Sequence, residues 1–225
     1  MSDAGHSVDP VTDPAEFWEA RYRSTRGEHG RVWSGQVNAA VEREVAGLTP
    51  GTALDLGCGE GGDALWLAAN GWTVTAIDIS AAALDVGRAE AQRAGLADRI
   101  HWVRGDLSTW EPTSAFDLVT SAFLHSPVEL PRDEVLRRAA SAVAPGGRLL
   151  VVGHGAAPPG SKLNHHDHDG PPLPTTDEVL ESLALTDEWI TETRAMVERS
   201  AIWRDGSTVT LVDAVLRVRR SGPRA

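Results

Sequence analysis

The chain has 225 residues, enough for one domain with a sizeable core, and its 32 acidic and 21 basic residues give a formal net charge of −11. That charge argues against a partner recognised through its phosphate backbone, so we expect a small or cationic ligand and no nucleic acid. No apolar run approaches the ~20 residues that span a membrane, and the acidic start is unlike a targeting peptide, so we expect a cytoplasmic protein with no membrane partner.

The first predicted elements form an N-terminal arm, residues 14–50. The polar residues 1–13 ahead of it are expected to be flexible. A short helix is predicted from Pro14 to Arg23, and a second from Val37 to Leu48, where apolar residues recur at helical spacing. The arm is expected to belong to a single domain, residues 14–225.

The next stretch, Thr52 to Ser80, is predicted to form a strand, a glycine-rich turn, a helix and a second strand that ends at Asp78. The glycines of the turn are Gly57, Gly59, Gly61 and Gly62. Glycines accept positive φ and carry no Cβ, and the helix after them offers unpaired N–H groups. A nucleotide can therefore approach this turn, and Asp78 can accept hydrogen bonds from ribose hydroxyls.

Two cofactor classes fit this turn. Gly57, Gly59 and Gly62 satisfy G-x-G-x-x-G, and Asp78 lies 78 − 57 = 21 residues after the first glycine, as in a dinucleotide site. Asp55, however, places a carboxylate at the end of the strand, where it suits an ammonium better than a pyrophosphate. S-adenosylmethionine (SAM) carries an amino-acid head and no phosphate, so Asp55 favours SAM over NAD.

The elements that follow alternate between helix and strand, as in a doubly wound parallel sheet. They are predicted at Ala81–Ala94, Ile100–Arg104, Phe116–Thr120, Glu134–Val143 and, after a turn, Arg148–Gly153. The cofactor-binding core therefore covers residues 51–153. Because the carboxyl ends of parallel strands meet at one edge of the sheet, the ligand is expected there. Four polar residues share that edge, namely Asp55, Asp78, Asp106 and Ser121.

Histidines provide the candidate catalytic and substrate-binding residues. His125 follows the fourth strand and His154 ends the fifth, and an imidazole with a pKa near 6.5 can take a proton from a hydroxyl, thiol or ammonium group. Residues 154–174 are predicted to form a lid loop. Its histidines, His165, His166 and His168, are candidate substrate contacts, as is His125. Adjacent residues rarely point at one centre, so no metal site is predicted.

The C-terminal part, residues 175–225, departs from this alternation. Thr175 begins a predicted helix that runs to Ala184. Strands are then predicted at Trp189–Glu198 and Thr208–Arg219, with Asp205-Gly206 as the turn between them. These strands are expected to form an antiparallel hairpin.

With these motifs in order, the chain resembles the class I SAM-dependent methyltransferases. The motifs are the glycine turn after Asp55, then Val103–Leu107, Ala115–Thr120 and Ala144–Val152. The resemblance implies an α/β, Rossmann-like fold with a mostly parallel seven-stranded sheet, a C-terminal antiparallel hairpin and helices on both faces. It also implies the cofactor contacts Asp55, Gly57, Gly59, Gly61, Asp78, Ile79, Asp106, Leu107 and Ser121, with Asp106 and Leu107 at the adenine.

The arm is similar to the segment that precedes the core in thiopurine and tellurite-resistance methyltransferases. The similarity lies in Phe17–Tyr22, Trp33 and Asn38, and it implies that Trp33 covers the cofactor and that the acceptor is small. We therefore predict in-line methyl transfer from SAM to a sulfur, nitrogen or oxygen atom of a small molecule, with sulfur slightly favoured. An NAD-linked oxidoreductase and a non-catalytic SAM-binding protein remain alternatives, and the protein is expected to be a monomer or homodimer.

Overall fold

The structure is a computed structural model that describes residues 13–24, 31–156, 173–202 and 208–222. The sequence predictions for residues 1–12, for His165, His166 and His168, and for the Asp205-Gly206 turn lie outside the described residues. Within these ranges, none of the helices combines the length and apolar character needed to cross a membrane.

Six α-helices lie within the described residues. They are α1 (Pro14–Ser24), α2 (Ala39–Val45), α3 (Gly62–Ala69), α4 (Ala81–Arg93), α5 (Arg132–Ser141) and α6 (Thr176–Ser182). Side chains cap three of them. Asn38 accepts hydrogen bonds from N–H groups at the start of α2, Ser80 does so at α4, and Thr175 forms a capping box with Glu178 at α6.

Seven strands of the described residues form one sheet. They are β1 (Thr52–Leu56), β2 (Thr73–Asp78), β3 (Ile100–Arg104), β4 (Phe116–Ala122), β5 (Val143–His154), β6 (Trp189–Ile202) and β7 (Thr208–Arg220). Their order is β3-β2-β1-β4-β5-β7-β6, and β7 runs antiparallel to both of its neighbours. The predicted fold class is therefore confirmed. The strand order reverses between β1 and β4, the point at which open α/β sheets bind their ligands.

The core lies in two layers, one on each face of the sheet. On one face, Val41 of α2 and Leu67 of α3 pack in the same cluster as Val152 and Val215. On the other face, helices α5 and α6 cover Leu149 and Leu216. This double coverage buries the central strands and leaves their carboxyl ends as the open edge.

Several predicted boundaries differ from the structure, among them those of β5 and α2. Strand β5 begins at Val143, where a turn was predicted before Arg148. Val143 pairs with Phe116, and the register shifts before the next pair, so the left-handed Gly146 (φ 85°) lies within an irregular strand. Helix α2 is shorter than predicted at both ends. Asn38 caps its beginning, and its last residue is Val45.

Glu44 connects α2 to the C-terminal hairpin. This residue is 8% exposed. Its Oε2 accepts a hydrogen bond from Thr193 Oγ1 at 2.8 Å and lies 3.2 Å from Nη1 of Arg217. The second arm helix is thereby fastened to both strands of the hairpin.

Candidate functional site

The turn between β1 and α3 depends on glycines in the left-handed backbone region. Gly57, Gly59 and Gly61 have φ values of 69°, 54° and 81°, which residues with side chains rarely adopt. A Cβ on Gly59 would lie 2.8 Å from the hydroxyl of Tyr22. The turn therefore presents bare backbone beneath the N-terminal arm.

Asp55 is a buried carboxyl group beside this turn, 2% exposed. Its Oδ1 accepts a hydrogen bond from Thr120 Oγ1 at 3.0 Å, whereas Oδ2 is buried and has no hydrogen-bond partner within the described part of the chain. Burial, with a smaller contribution from the Asp63 carboxyl, raises the pKa of Asp55. An unpaired buried oxygen is costly, so the site fits a ligand that brings a cationic or hydrogen-bond-donating group.

Asp63, in the first turn of α3, is a second acid near the turn and is half-buried, and the sequence analysis did not single it out. Its Oδ1 accepts a hydrogen bond from the backbone N–H of Asn38 at 2.7 Å. Burial raises the pKa of the Asp63 carboxyl. This bond joins the arm to α3 and places a second acid close to Asp55.

Asp78 ends β2 and contacts the glycine turn directly. Its Oδ2 accepts the N–H of Gly59 at 2.8 Å and its Oδ1 accepts the N–H of Ser80 at 2.9 Å. Burial raises the pKa of Asp78, while these two hydrogen bonds lower it. Each carboxylate oxygen has further lone pairs for a ligand. The neighbouring Ile79 accepts a hydrogen bond at its carbonyl oxygen from Arg104.

The remaining predicted cofactor residues differ in exposure. Asp106 follows β3 and is exposed, and its Oδ1 accepts the N–H of Ser108 at 2.8 Å. Leu107 is buried. Ser121, in β4, is also buried, and its hydroxyl has no hydrogen-bond partner among the residues that the structure describes. Asp106 and Ser121 therefore keep polar atoms that a ligand can engage.

Two carboxylates fasten the arm over the turn. Glu19 of α1 accepts hydrogen bonds from Ser80 Oγ at 2.8 Å and from the N–H of Ala82 at 3.1 Å, at the start of α4. Glu60, inside the glycine turn, accepts the backbone N–H groups of residues 32–33 at 2.9 to 3.1 Å. The arm is thus bonded both to α4 and to the turn.

Aromatic rings of the arm extend from the turn to the loop after β4. Trp33 donates its indole N–H to the Tyr22 hydroxyl at 3.0 Å, and Trp18 donates its own to Ser126 Oγ at 3.3 Å. The guanidinium of Arg21 lies near both indole rings. The arm therefore covers the gap between the ends of β1 and β4.

The two candidate catalytic histidines stack against each other at the ends of β4 and β5. Their ring centroids are 5.4 Å apart, and Phe123, with an unusual φ of 52°, stacks on His154 at 4.4 Å. Nε2 of His125 accepts the backbone N–H of His154 at 3.3 Å, so the neutral ring carries its proton on Nδ1. Burial, with the charge of Arg132, lowers the pKa of His125 to about 4.

His154 faces a buried acid that the sequence analysis missed. Asp213 of β7 is the register partner of His154 and is 1% exposed. Its Oδ2 accepts the Nε–H of Arg199 at 2.7 Å, while Oδ1 has no hydrogen-bond partner in the described ranges. Burial lowers the pKa of His154, and Asp213 partly opposes that change.

Comparison with known proteins identifies the family. A family model described as "Methyltransferase domain" matches residues 53–147. The 2-heptyl-1-hydroxyquinolin-4(1H)-one methyltransferase of Mycobacteroides abscessus is 30% identical over 169 residues, which cover 69% of each chain. The chain belongs to the SAM-dependent methyltransferases. SAM is therefore its cofactor, and neither the NAD-linked nor the non-catalytic alternative finds support in these matches.

Solved structures agree with this methyltransferase fold. One comes from a study of the conversion of a disulfide bond into a thioacetal group during echinomycin biosynthesis, with a TM-score of 0.70, 25% identity, and coverage of 95% of this chain and 94% of that chain. TehB from Haemophilus influenzae has a TM-score of 0.61 at 19% identity, with coverage of 82% and 62%. By contrast, the matches to two other curated relatives cover only 41% and 36% of those proteins.

The structure brings most of the predicted residues of this methyltransferase to one edge of the sheet. The acids and glycines at β1 and β2 lie under the arm, and the histidine pair lies at the ends of β4 and β5. Sequence reasoning did not single out four residues that contact the candidate site, namely Arg21, Glu60, Asp63 and Asp213. Glu60 lies inside the glycine motif and Asp63 directly follows it, so their position relative to that motif was the available signal. Asp213 gave none, because its partner is set by strand register.

Proposed function

We propose that this methyltransferase transfers the methyl group of SAM to a small-molecule nucleophile by in-line displacement, leaving S-adenosylhomocysteine. The observation that carries the proposal is the unpaired buried oxygen of Asp55 beside the glycine turn. A buried acid at that point attracts an ammonium group and repels a pyrophosphate. The cofactor's amino-acid head supplies such an ammonium.

Several residues are assigned to the cofactor in this proposal. Asp55 binds the ammonium, and Asp78, which already accepts two backbone N–H groups, accepts the ribose hydroxyls through its remaining lone pairs. The other proposed contacts are Trp33, Gly57, Gly59, Gly61, Ile79, Asp106, Leu107 and Ser121, with Asp106 and Leu107 at the adenine.

The chain contributes alignment and proton transfer. When bound, SAM supplies a methyl group on a positively charged sulfur, which is a good leaving group. Holding the acceptor in line with that methyl group supplies much of the rate by proximity. We assign His154 to accept the proton that the acceptor loses, because its lowered pKa keeps the ring neutral near pH 7. Asp213 then stabilises the charged imidazole across the strand pair.

His125 has a different proposed role. Its Nε2 is already occupied by the N–H of His154, and its pKa of about 4 makes it a poor proton acceptor near neutral pH. The Nδ1–H group remains available to donate a hydrogen bond to the acceptor molecule. His125 is therefore assigned to substrate positioning as well as to support of His154.

The acceptor atom in this proposal carries an ionisable proton, with a thiol favoured over a hydroxyl or an amine. The similar structure from echinomycin biosynthesis concerns sulfur chemistry, which supports a thiol. The Mycobacteroides abscessus relative is named for a hydroxyquinolone, which supports a hydroxyl group as the second candidate. Both groups lose a proton on methylation, as a base at His154 requires.

Calorimetry tests the cofactor and a matched acceptor set tests the reaction. We expect SAM and S-adenosylhomocysteine to bind and NADH not to bind, and NADH binding alone would overturn the proposal. Three small molecules are then tested as methyl acceptors, with radiolabelled SAM as the donor. They are benzyl mercaptan, 2-heptyl-1-hydroxyquinolin-4(1H)-one and benzylamine. We expect transfer to the thiol or the hydroxyl, and a large loss of kcat in His154→Gln but not in His101→Gln, which changes an exposed histidine of β3.

A further inference from the structure

Arg21 of α1 is a half-buried cation beside the cofactor turn. Its guanidinium carbon lies 6.0 Å from the ring centroid of Trp18 and 5.8 Å from that of Trp33. Its Nε is buried and has no hydrogen-bond partner within the described part of the chain. A buried donor on a charged group is costly to leave unpaired, so this arginine is expected to meet an anion.

Nearby arginines of the described ranges differ from Arg21 because they are paired. Arg23, two residues later on the same helix, bonds Glu19 at 2.8 Å, and Arg88 of α4 bonds Asp85 at 2.9 Å. None of the ion pairs formed among the described residues includes Arg21. In the described part of the chain, Arg21 therefore lacks the carboxylate partner that these two arginines have.

The two indole rings fix where that anion must lie. Trp18 is hydrogen-bonded to Ser126 in the loop after β4, and the Trp33 ring approaches within 3.6 Å of the Cβ position at Gly59. Arg21 contacts both rings, so its guanidinium lies between the glycine turn of β1 and the end of β4. Stacking on aromatic faces orients the planar guanidinium before a ligand arrives.

Charge complementarity identifies the anion. The carboxyl groups of Asp55, Asp63 and Asp78 line the floor of the site and suit a cationic group, whereas the amino-acid head of SAM carries one ammonium and one carboxylate. We propose that Arg21 binds the carboxylate of this head while Asp55 binds its ammonium. The inference rests on the proposed function and assigns a residue to the charged end that the floor of the site would repel.

The same geometry orients the cofactor. A guanidinium pairs with a carboxylate through two parallel N–H bonds and repels the positively charged sulfur. With the head held under Arg21, the methyl group must lie away from this arginine, on the side of His125 and His154. Arg21 could also bind a carboxylate of the acceptor molecule, which has the same chemistry as the carboxylate of the cofactor. The test is therefore done without an acceptor.

Isothermal titration with two ligands tests whether the cofactor supplies the carboxylate that Arg21 binds. The ligands are S-adenosylhomocysteine and its decarboxylated analogue, S-adenosyl-3-thiopropylamine, which keeps the ammonium. We expect the unmodified protein to prefer S-adenosylhomocysteine by about 10- to 100-fold, the range for a charge-assisted hydrogen bond. Arg21→Met should lose most of this preference and Arg21→Lys only part of it. The control Arg23→Met, on the same helix, should keep it.

Three results would overturn the assignment. An equal loss of affinity for both ligands in Arg21→Met would mean that Arg21 only supports the two tryptophans. Unchanged S-adenosylhomocysteine affinity would remove the cofactor carboxylate as its partner. If the unmodified protein binds neither ligand, the proposed function itself fails, which is evident before the variants are compared. Should Arg21→Met not fold, Arg21→Gln keeps a polar, uncharged side chain and allows the same comparison.

Discussion

The neutral state of His125 predicts how the stability of the protein depends on pH. Its pKa is about 4 in the folded chain, below the ordinary value of 6.5. The unfolded chain therefore binds the proton first as pH falls, so stability present above pH 6.5 is lost as pH falls towards 4. The full pKa shift corresponds to about 3 kcal/mol of unfolding free energy. The part of it that is lost between pH 8 and pH 5 is about 2 kcal/mol.

His125→Gln removes this titration while keeping an acceptor for the N–H of His154. Urea unfolding at pH 8 and pH 5 gives the free energy of unfolding of each protein. Other groups titrate equally in the unmodified protein and in the variant. The difference between their losses of unfolding free energy from pH 8 to pH 5 therefore gives the contribution of His125. We expect the unmodified protein to lose about 2 kcal/mol more than the variant, and the control His101→Gln to match the unmodified protein. Equal losses in His125→Gln and the unmodified protein would refute the assignment of a neutral His125.

Three further changes test the site. Asp78→Asn should weaken S-adenosylhomocysteine binding by about 100-fold, because a charged acceptor for hydroxyl groups is lost; calorimetry showing less than a threefold change would remove Asp78 from the ribose. Glu60→Gln should speed amide hydrogen exchange at residues 32–33, whose N–H groups the carboxylate accepts, and unchanged protection would contradict its role in holding the arm. Gly61→Ala should lower Tm by about 4 °C or more, since its φ is 81° and a Cβ would lie 2.3 Å from Trp102. Gly47→Ala, with open space around it, should leave Tm nearly unchanged.

Alanine at position 78 would be a less specific test than asparagine. The carboxylate accepts the N–H groups of Gly59 and Ser80, and alanine would leave both buried donors unpaired. That loss would reduce the stability of the turn itself. Asparagine keeps one acceptor oxygen, so it changes the charge with less effect on the fold.

Local patterns were sufficient to predict the fold class and the glycine turn. The left-handed glycines and Asp78 lie within one continuous stretch, where spacing alone predicts geometry. The beginning of β5 could not be predicted in this way. Gly146 is a residue type that is typical of turns, and the pairing of Val143 with Phe116 depends on a neighbouring strand. Residue spacing carries no information on such pairing.

Contacts between distant segments account for the parts of the site that were missed. Glu60 lies in the predicted motif, but its hydrogen-bond donors belong to the arm, 27 and 28 residues earlier. Asp213 is one of several charged residues of β7, and only the β5–β7 register places it opposite His154. Arg21 appears in sequence as one more charged residue of a helix. Its missing counterion becomes evident only from three-dimensional packing.

The Glu44 connection limits how this protein can be divided. The carboxylate receives partners 149 and 173 residues later in the chain, in both strands of the hairpin. A fragment that stops before β6 would keep the buried Glu44 without its two partners in the hairpin and would leave β5 as an exposed sheet edge. The stretch matched by the family model, residues 53–147, lacks both Glu44 and the hairpin. We therefore expect it to be insoluble when expressed alone, and we expect the described elements to unfold in one cooperative transition.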